Sequence, residues 1–228
     1  FAERYAIRNT WCNESYHNIK GVKCYFYSGI TSNSNDNSFL KQEASLFDDI
    51  IQFDIADTYL NLTIIQLQSY NWILNHCPSM KYYVRTDADM YVNLNVVVNQ
   101  IIPSLPTSFA YGHVFRGAKP FRNPNHKYYL PPSVYSQKYF PPFISGCMCV
   151  LSRDVLQTLV EGSNYVRPIH YLDDAYYGQI MDRYGVWIVE DKKLISVIQL
   201  SLNEVVNRSY AAVHRYSPVD LIVIDSFL

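Results

Sequence analysis

The sequence lacks an excess of charge of either sign. Lys and Arg total 19, Asp and Glu total 20, and charged residues make up only 17% of the 228 residues. Binding to duplex nucleic acid or to an anionic membrane usually leaves a basic footprint, so this balance gives no indication of either partner. Hydrophobic residues reach 49%, which is enough for a folded core, and the length favours a single domain over residues 1–228.

Long apolar runs are also missing, and cysteines are few. No run of about 18 apolar residues is present, and the chain opens without Met or a charged leader, so neither a membrane span nor a signal peptide is expected. We therefore interpret the sequence as an excised piece. The five cysteines match no zinc ribbon or CxxC pair, and their pairing stays open. Cys147 and Cys149 are expected on opposite faces of one strand, hence not bonded to each other. Three glycosylation sequons indicate the secretory pathway, and they begin at Asn13, Asn61 and Asn207.

Strand-like and helix-like segments alternate along the chain. Strands are predicted within 22–28, 46–55, 82–84, 109–115, 143–151, 186–189 and 211–213, and helices at 61–77, 94–102, 152–161 and 173–184. Residues 29–37 form a polar loop, and residues 116–142, rich in proline and aromatic residues, are expected to form a long binding loop. This order predicts an α/β fold with a mixed, mostly parallel sheet flanked by helices.

Two carboxylates follow the strand-like run in the segment KYYVRTDADMYVN, residues 81–93. Asp87 and Asp89 are one residue apart at a strand end, so they point to the same side, and a divalent cation is the economical way to hold both charged. Oxygen ligands of this kind suit Mg²⁺ or Mn²⁺. An EF-hand is excluded because Val92 and Val98 stand where that loop needs Gly and Glu. The alternative is that these acids only cap the next helix.

A second acidic pair, Asp173 and Asp174, lies at the predicted start of a helix. Taken alone, the pair is best explained by the positive end of the helix dipole. A carboxylate at a helix start that faces a cleft is also well suited to act as a general base toward a hydroxyl. His214 follows a short apolar run and is a candidate for completing a metal shell, although a lone histidine is more often structural.

Six motifs in the same order resemble those of the β1,3-galactosyltransferase and β1,3-N-acetylglucosaminyltransferase family, and they cover nearly the whole chain. They are RYAIRNTW (4–11), DTYLNLT (57–63), Trp72 with Cys77-Pro78, RTDADMYVN (85–93), PPFISG (141–146) and Asp173-Asp174 before Gly178.

The resemblance implies a GT-A fold, a UDP-sugar donor, a glycan acceptor on a glycoprotein or glycolipid, and Mn²⁺ or Mg²⁺. It also implies a type II protein whose catalytic domain is luminal and whose missing N-terminal segment anchors it in the Golgi membrane. By position, Asp89 and His214 would bind the metal, and Asp87 would help hold the ribose and diphosphate. Arg8 becomes a candidate donor-site residue, and Asp174 would be the catalytic base. The implied reaction is inverting transfer of galactose or N-acetylglucosamine to a 3-hydroxyl.

The sequence departs from the family pattern at several positions. Ala88 replaces a third acid, Asp173 replaces a glutamate, and Ile65 replaces a lysine; Ile144 replaces a cysteine, and Cys147 and Cys149 stand where Gly or an aromatic residue is common. Substitutions around Cys147 could block the donor, so a catalytically silent carbohydrate- or partner-binding module is an alternative. A nucleotidyltransferase, which also uses paired acids, is a third.

Overall fold

The computed structural model describes residues 1–13, 21–169, 171–191, 195–207 and 210–227. The helices are α1 Ala2–Asn9, α2 Ser34–Phe47, α3 Leu62–His76, α5 Arg153–Gly162, α6 Asp173–Arg183, α7 Leu202–Asn207 and α8 Pro218–Asp225. Helix α4 is a continuous run made of Leu94–Val96, the π-helical Val97–Ile101 and Ile102–Ser104. The strands are β1 Phe26–Ile30, β2 Ile50–Ala56, β3 Tyr82–Thr86, β4 Met90–Val92, β5 Ala110–Phe115, β6 Phe143–Ser152, β7 Ile188–Glu190, β8 Ile195–Ser196 and β9 Ala212–His214.

The strands form three sheets in the described part of the chain: β1-β2, β3-β6-β5-β7 and β4-β9-β8. The α/β class and the mixed sheet are therefore confirmed. The strands are less parallel than expected, because β1-β2, β5-β7 and β8-β9 pair in parallel whereas β3-β6, β5-β6 and β4-β9 pair antiparallel. The long strand β6 accounts for two of these three antiparallel pairs, since it runs antiparallel to both of its neighbours.

Two apolar clusters form the core. One surrounds β4 and β9 and includes Met90 and Val213 with Leu221 of α8. The other covers β6 with the helices α3, α5 and α6, and includes Leu156 and Ile180. No helix in the described ranges is long and apolar enough to cross a membrane.

Several elements escaped the sequence patterns, notably α1, α2, α7, α8, β4 and β8. Helix α2 begins at Ser34 inside the segment expected to be a loop, where the Asn33 side chain accepts a hydrogen bond from the Asn35 N–H and caps it. It shows little apolar periodicity because Glu43 is its only buried residue. The elements β4 and β8 span three and two residues, too few for a periodic signal.

The cysteines and sequons have mixed outcomes. Cys12 and Cys24 form a disulfide, and Cys77, Cys147 and Cys149 are free. In the described sequon, the Asn61 side chain donates to the carbonyl of Ala56 and the Thr63 hydroxyl is buried. The other two sequons include residues 14–15 and 208–209, which lie outside the described residues.

Helix α1 is fixed by a charged network at its inner face. Arg4 donates to both carboxylate oxygens of Glu43 at 2.8 and 2.6 Å, and Arg8 adds a third bond to Glu43 at 2.7 Å. Arg8 also makes a bidentate pair with Asp49. These bonds, first that from Arg4, lower the pKa of Glu43 to about 2. The buried Glu43 therefore joins α1 to α2.

Replacing Glu43 by Gln should lower the free energy of unfolding at pH 7 by about 3 kcal/mol, because the partly buried Arg4 loses its ion-pair partner and Arg8 keeps only Asp49. The carboxylate has a lowered pKa in the folded state, so its contribution is full above about pH 4.5 and is lost as the pH falls toward 2. Urea denaturation at pH 7 and pH 3 should show the difference between the two proteins shrinking at the lower pH. Glu3→Gln removes a 54% exposed carboxylate and serves as the control; equal losses in both variants would contradict the prediction.

Candidate active site

The first acidic pair lies where the chain passes from one sheet to another. Strand β3 pairs with β6, and the Asp87 N–H extends that ladder by donating to Cys147 O at 2.9 Å. The Met90 N–H then donates to Asp87 O at 3.3 Å, which closes a tight turn, and β4 continues paired with β9. Asp87 and Asp89 therefore lie together because of this turn, and not because of strand alternation as expected.

His214 reaches the same turn from the far end of the chain. It lies opposite Met90 in the β4-β9 ladder, and its Nε2 is 3.2 Å from Asp89 Oδ1. Its Nδ1 lies 3.3 Å from the carbonyl of Val197. With its proton on Nδ1, the imidazole donates to this carbonyl and leaves the lone pair of Nε2 available to a metal ion beside Asp89.

Asp87, Asp89 and His214 could hold one ion. Their ligand atoms all lie within 4.8 Å of one another. Two carboxylates and an imidazole are a donor set suited to Mn²⁺ and related ions. Burial raises the pKa of Asp87, and the charges of Asp173 and Asp89 raise it further, whereas Arg85 opposes them. A cation would relieve that repulsion, so these residues fit the metal that the sequence predicts.

Arg85, in β3, connects the two acidic pairs. Its Nη2 lies 2.8 Å from Asp173 Oδ2 and 3.8 Å from Asp87 Oδ1, and its side chain is 15% exposed. The space for its guanidinium is provided by Gly146, because a Cβ there would lie 2.8 Å from Arg85 Nη1. The contact with Asp173 is an ion pair, since no directed hydrogen bond reaches Asp173 Oδ2 within the described ranges. Sequence reasoning assigned Arg85 no role, although a cation inside an apolar run beside two acids is a usable signal.

The second acidic pair begins α6, as predicted. This helix packs closely on β6 through Gly178, where a Cβ would lie 2.4 Å from Phe143 Cβ and 3.1 Å from Pro142 O. The close packing holds the helix start beside β6, where the backbone of Gly146 interacts with Asp174. The motif PPFISG, at the start of β6, and the motif of Asp173 and Asp174 before Gly178, on α6, therefore pack against each other.

Asp174 has the electrostatics of a proton acceptor. Burial, together with the neighbouring charge of Asp173, raises its pKa to about 6, although the backbone of Ala175 and Gly146 and the charge of Arg85 oppose the shift. One carboxylate oxygen accepts from the Ala175 N–H at 2.7 Å. A carboxylate of this pKa is ionised at neutral pH yet more basic than an exposed one.

The long segment 116–142 borders the same region, and it contains no helix or strand beyond an isolated bridge between Phe121 and Tyr129. Arg122 ties it together by donating to the carbonyls of Leu130, Tyr135 and Gln137. The hydroxyl of Tyr171, two residues before α6, donates to Tyr129 O.

Tyr59, in the turn before α3, packs against this segment beside the second acidic pair. Its ring contacts that of Tyr128, and Lys127 Nζ lies over both rings. Burial raises the pKa of Tyr59, and the Tyr128 hydroxyl and the charges of Asp173 and Asp174 contribute. Sequence reasoning gave Tyr59 no role.

Two other predicted features lie elsewhere. Arg8 is engaged by Glu43 and Asp49, and it makes no contact with Asp87, Asp89 or His214 among the interactions of the described residues. Its neighbour Trp11 reaches the metal turn instead, because its indole N–H donates to Met90 O at 3.1 Å. Cys147 is 5% exposed in the core, and the hydroxyl of Ser145 lies 3.2 Å from its sulfur.

Comparisons with known proteins agree with these motifs. The family model described as galactosyltransferase matches residues 2–192, a range that ends before His214. Beta-1,3-galactosyltransferase 2 of Homo sapiens is 37% identical over 180 residues, which cover 77% of this chain and 42% of that protein. Beta-1,3-galactosyltransferase 1 of Mus musculus is 35% identical over 191 residues, which cover 82% of this chain and 57% of that protein. The chain therefore spans about half the length of these relatives.

Among solved structures, a glycosyltransferase involved in the glycosylation of the major capsid of PBCV-1 aligns with 89% of this chain and 99% of its own. The TM-score is 0.40 and the sequence identity 13%, a likeness too weak to support a conclusion.

Replacing Asp89 by Asn should weaken Mn²⁺ binding by at least about tenfold, since even partners one shell further out typically contribute that much. Binding is measured from the loss of the free Mn²⁺ signal in electron paramagnetic resonance. Asp36→Asn, which removes an exposed carboxylate of α2, is the matched control. If Asp89→Asn binds Mn²⁺ as well as the control does, Asp89 is not a ligand.

Proposed function

Because the chain belongs to the galactosyltransferase family, as its motifs predicted, we propose that it is the catalytic part of an inverting, metal-dependent β1,3-glycosyltransferase. It would move galactose or N-acetylglucosamine from a UDP-sugar to the 3-hydroxyl of a glycan on a glycoprotein or glycolipid. The proposal includes the luminal side of the Golgi membrane as its location, with anchoring through a segment outside this sequence.

The observation that best supports this function is the contact of Arg85 with both acidic pairs. Through Arg85, the start of α6 lies beside the turn that carries Asp87 and Asp89. A sugar nucleotide whose phosphates are at that turn would have its anomeric carbon near the helix start. A base on one side and a leaving group on the other are what a single displacement needs.

Asp174 is assigned as the general base. It takes the proton from the acceptor hydroxyl as that oxygen attacks C1 of the donor sugar, and the bond between C1 and the diphosphate oxygen breaks. Asp89 and His214 would hold the metal, and Asp87 would help to orient the ribose and diphosphate. When bound, the cation supplies charge stabilisation for the departing UDP. Arg85 is a positioning residue that keeps the acids at working distance.

The acceptor side is assigned to the segment 121–143 together with Tyr59. Tyr59 and Tyr128 form a partly exposed aromatic surface next to Asp173 and Asp174, with Lys127 over both rings. Aromatic faces of this kind suit the apolar side of a sugar ring. The assignment of Arg8 to the donor site has weaker support, since both edges of its guanidinium bind carboxylates of the chain itself.

Asp174→Asn should reduce transfer by about 10²-fold to 10⁴-fold, because the amide cannot accept the proton, while UDP affinity in the presence of Mn²⁺ stays within about twofold. Transfer is assayed with UDP-galactose and UDP-N-acetylglucosamine on aryl glycosides, and affinity by calorimetry. The control variant Asp182→Asn changes an exposed position on the same helix, and it should keep both the transfer activity and the UDP affinity of the wild type. Loss of UDP binding together with activity would indicate a structural role for Asp174; release of pyrophosphate by the wild type would indicate a nucleotidyltransferase.

The rate of transfer should fall on acidification with an apparent pKa of about 6. The pKa of Asp174 is raised to about 6, so the base is ionised above that pH and protonated, hence inactive, below it. The acidic fall in rate is measured as kcat against pH between 5 and 8, and circular dichroism shows whether the fold persists over that range. A rate that stays level down to pH 5 would exclude a base with this raised pKa.

A further inference from the structure

Arg215 has a backbone conformation that its side chain disfavours. Its φ angle is 72°, in the left-handed region, where any residue with a Cβ other than Asn or Asp is uncommon. In the described part of the chain, only Asp48 shares this property among residues other than glycine. Aspartate is one of the residue types that tolerate the left-handed region, and Asp48 ends α2 in that conformation. Arginine does not share this tolerance, so the conformation of Arg215 requires an explanation.

The strained residue lies directly beside the candidate metal site. The last pair of the β4-β9 ladder is Met90 with His214, so Arg215 is the next residue toward Asp89. The following residue closes the arrangement, because the Tyr216 N–H donates to Asp89 O at 3.0 Å. Arg215 thus lies between His214, a candidate metal ligand, and Tyr216, which is hydrogen-bonded to the backbone of Asp89, another candidate ligand.

The side chain of Arg215 has no partner among the residues that the structure describes. It is exposed, and within the described ranges no carboxylate or carbonyl engages its guanidinium. The register places it opposite Asp89, yet the Asp89 carboxylate lies against His214 instead. A cation one residue from an acidic cluster that does not bind those acids remains available for an anion from outside.

The charge of the site favours such an anion-binding role. Four carboxylates converge there, at Asp87, Asp89, Asp173 and Asp174, and the buried Arg85 is already committed to two of them. A diphosphate would bring more negative charge than one divalent ion balances. The planar guanidinium matches phosphate oxygens with two parallel hydrogen bonds.

We propose that Arg215 binds the β-phosphate of the nucleoside diphosphate at this site, a role that rests on the proposed function. In this role, the guanidinium of Arg215 binds phosphate while the Asp89 carboxylate stays against His214. The competing explanation is that this conformation only turns the chain into α8, whose first turn carries a capping box of Ser217 and Asp220. Glycine would serve that turn better than arginine, which makes glycine the informative substitution.

Arg215→Gly removes the guanidinium and the strain together. The variant should unfold at the same temperature as the wild type or higher, while its affinity for UDP in the presence of Mn²⁺ falls about tenfold or more, as for the loss of a charged hydrogen bond. Affinity for UMP, which lacks the β-phosphate, should change less than about threefold. Arg215→Lys, which keeps a point charge, should bind UDP with intermediate affinity. The affinities of the wild type and of both variants are measured by calorimetry.

Arg167→Gly, at an exposed position with no described partner, is the matched control and should bind UDP normally. If Arg215→Gly binds UDP like this control, or loses UMP and UDP affinity equally, the proposal is wrong. If the wild type itself shows no Mn²⁺-dependent UDP binding, the proposed function fails along with it. The two failures are therefore distinguishable.

Discussion

The buried guanidinium of Arg85 is the interaction on which the site depends. Carboxylates crowded at a partly buried site repel one another, and each would otherwise take up a proton or move apart. Arg85 lies within 4 Å of Asp87 on one side and of Asp173 on the other, and its charge also lowers the pKa of Asp174. One cation thereby lets acids from two distant motifs occupy the same cleft as charged groups.

Two glycines create the space for this arrangement. Gly146 leaves room for the Arg85 guanidinium, and Gly178 lets α6 approach β6 until its backbone is nearly in contact. A side chain at either position would displace the acids relative to each other. Glycine here serves close approach of neighbouring groups, and neither position requires a positive φ.

The two acidic pairs differ in environment, and this difference separates their proposed roles. Asp89 is partly exposed and lies against an imidazole whose other nitrogen is fixed by a carbonyl, which suits a metal ligand. Asp174 is enclosed at a helix start, with its pKa raised to about 6, which suits a base. Carboxylates of the same chemical type thus acquire different functions from burial and neighbours. The cleft further combines residues from the middle of the chain with His214 near its end.

Local patterns were sufficient for much of this protein. The alternation of β3, α3, β6 and α6 and the acids at the ends of these elements were readable from the sequence, because periodicity and motif spacing are local properties. The pairing of the strands could not be read from the sequence, and neither could the short strands β4 and β8 or the solvent-facing helix α2. The resemblance to the family grouped His214 with Asp89, and the tertiary structure supplied their contact. Only the tertiary structure brought Arg85 to Asp173 and engaged Arg8 with Glu43 and Asp49. Those contacts join residues tens to more than a hundred positions apart, so they depend on chain packing, about which a single sequence carries no local signal.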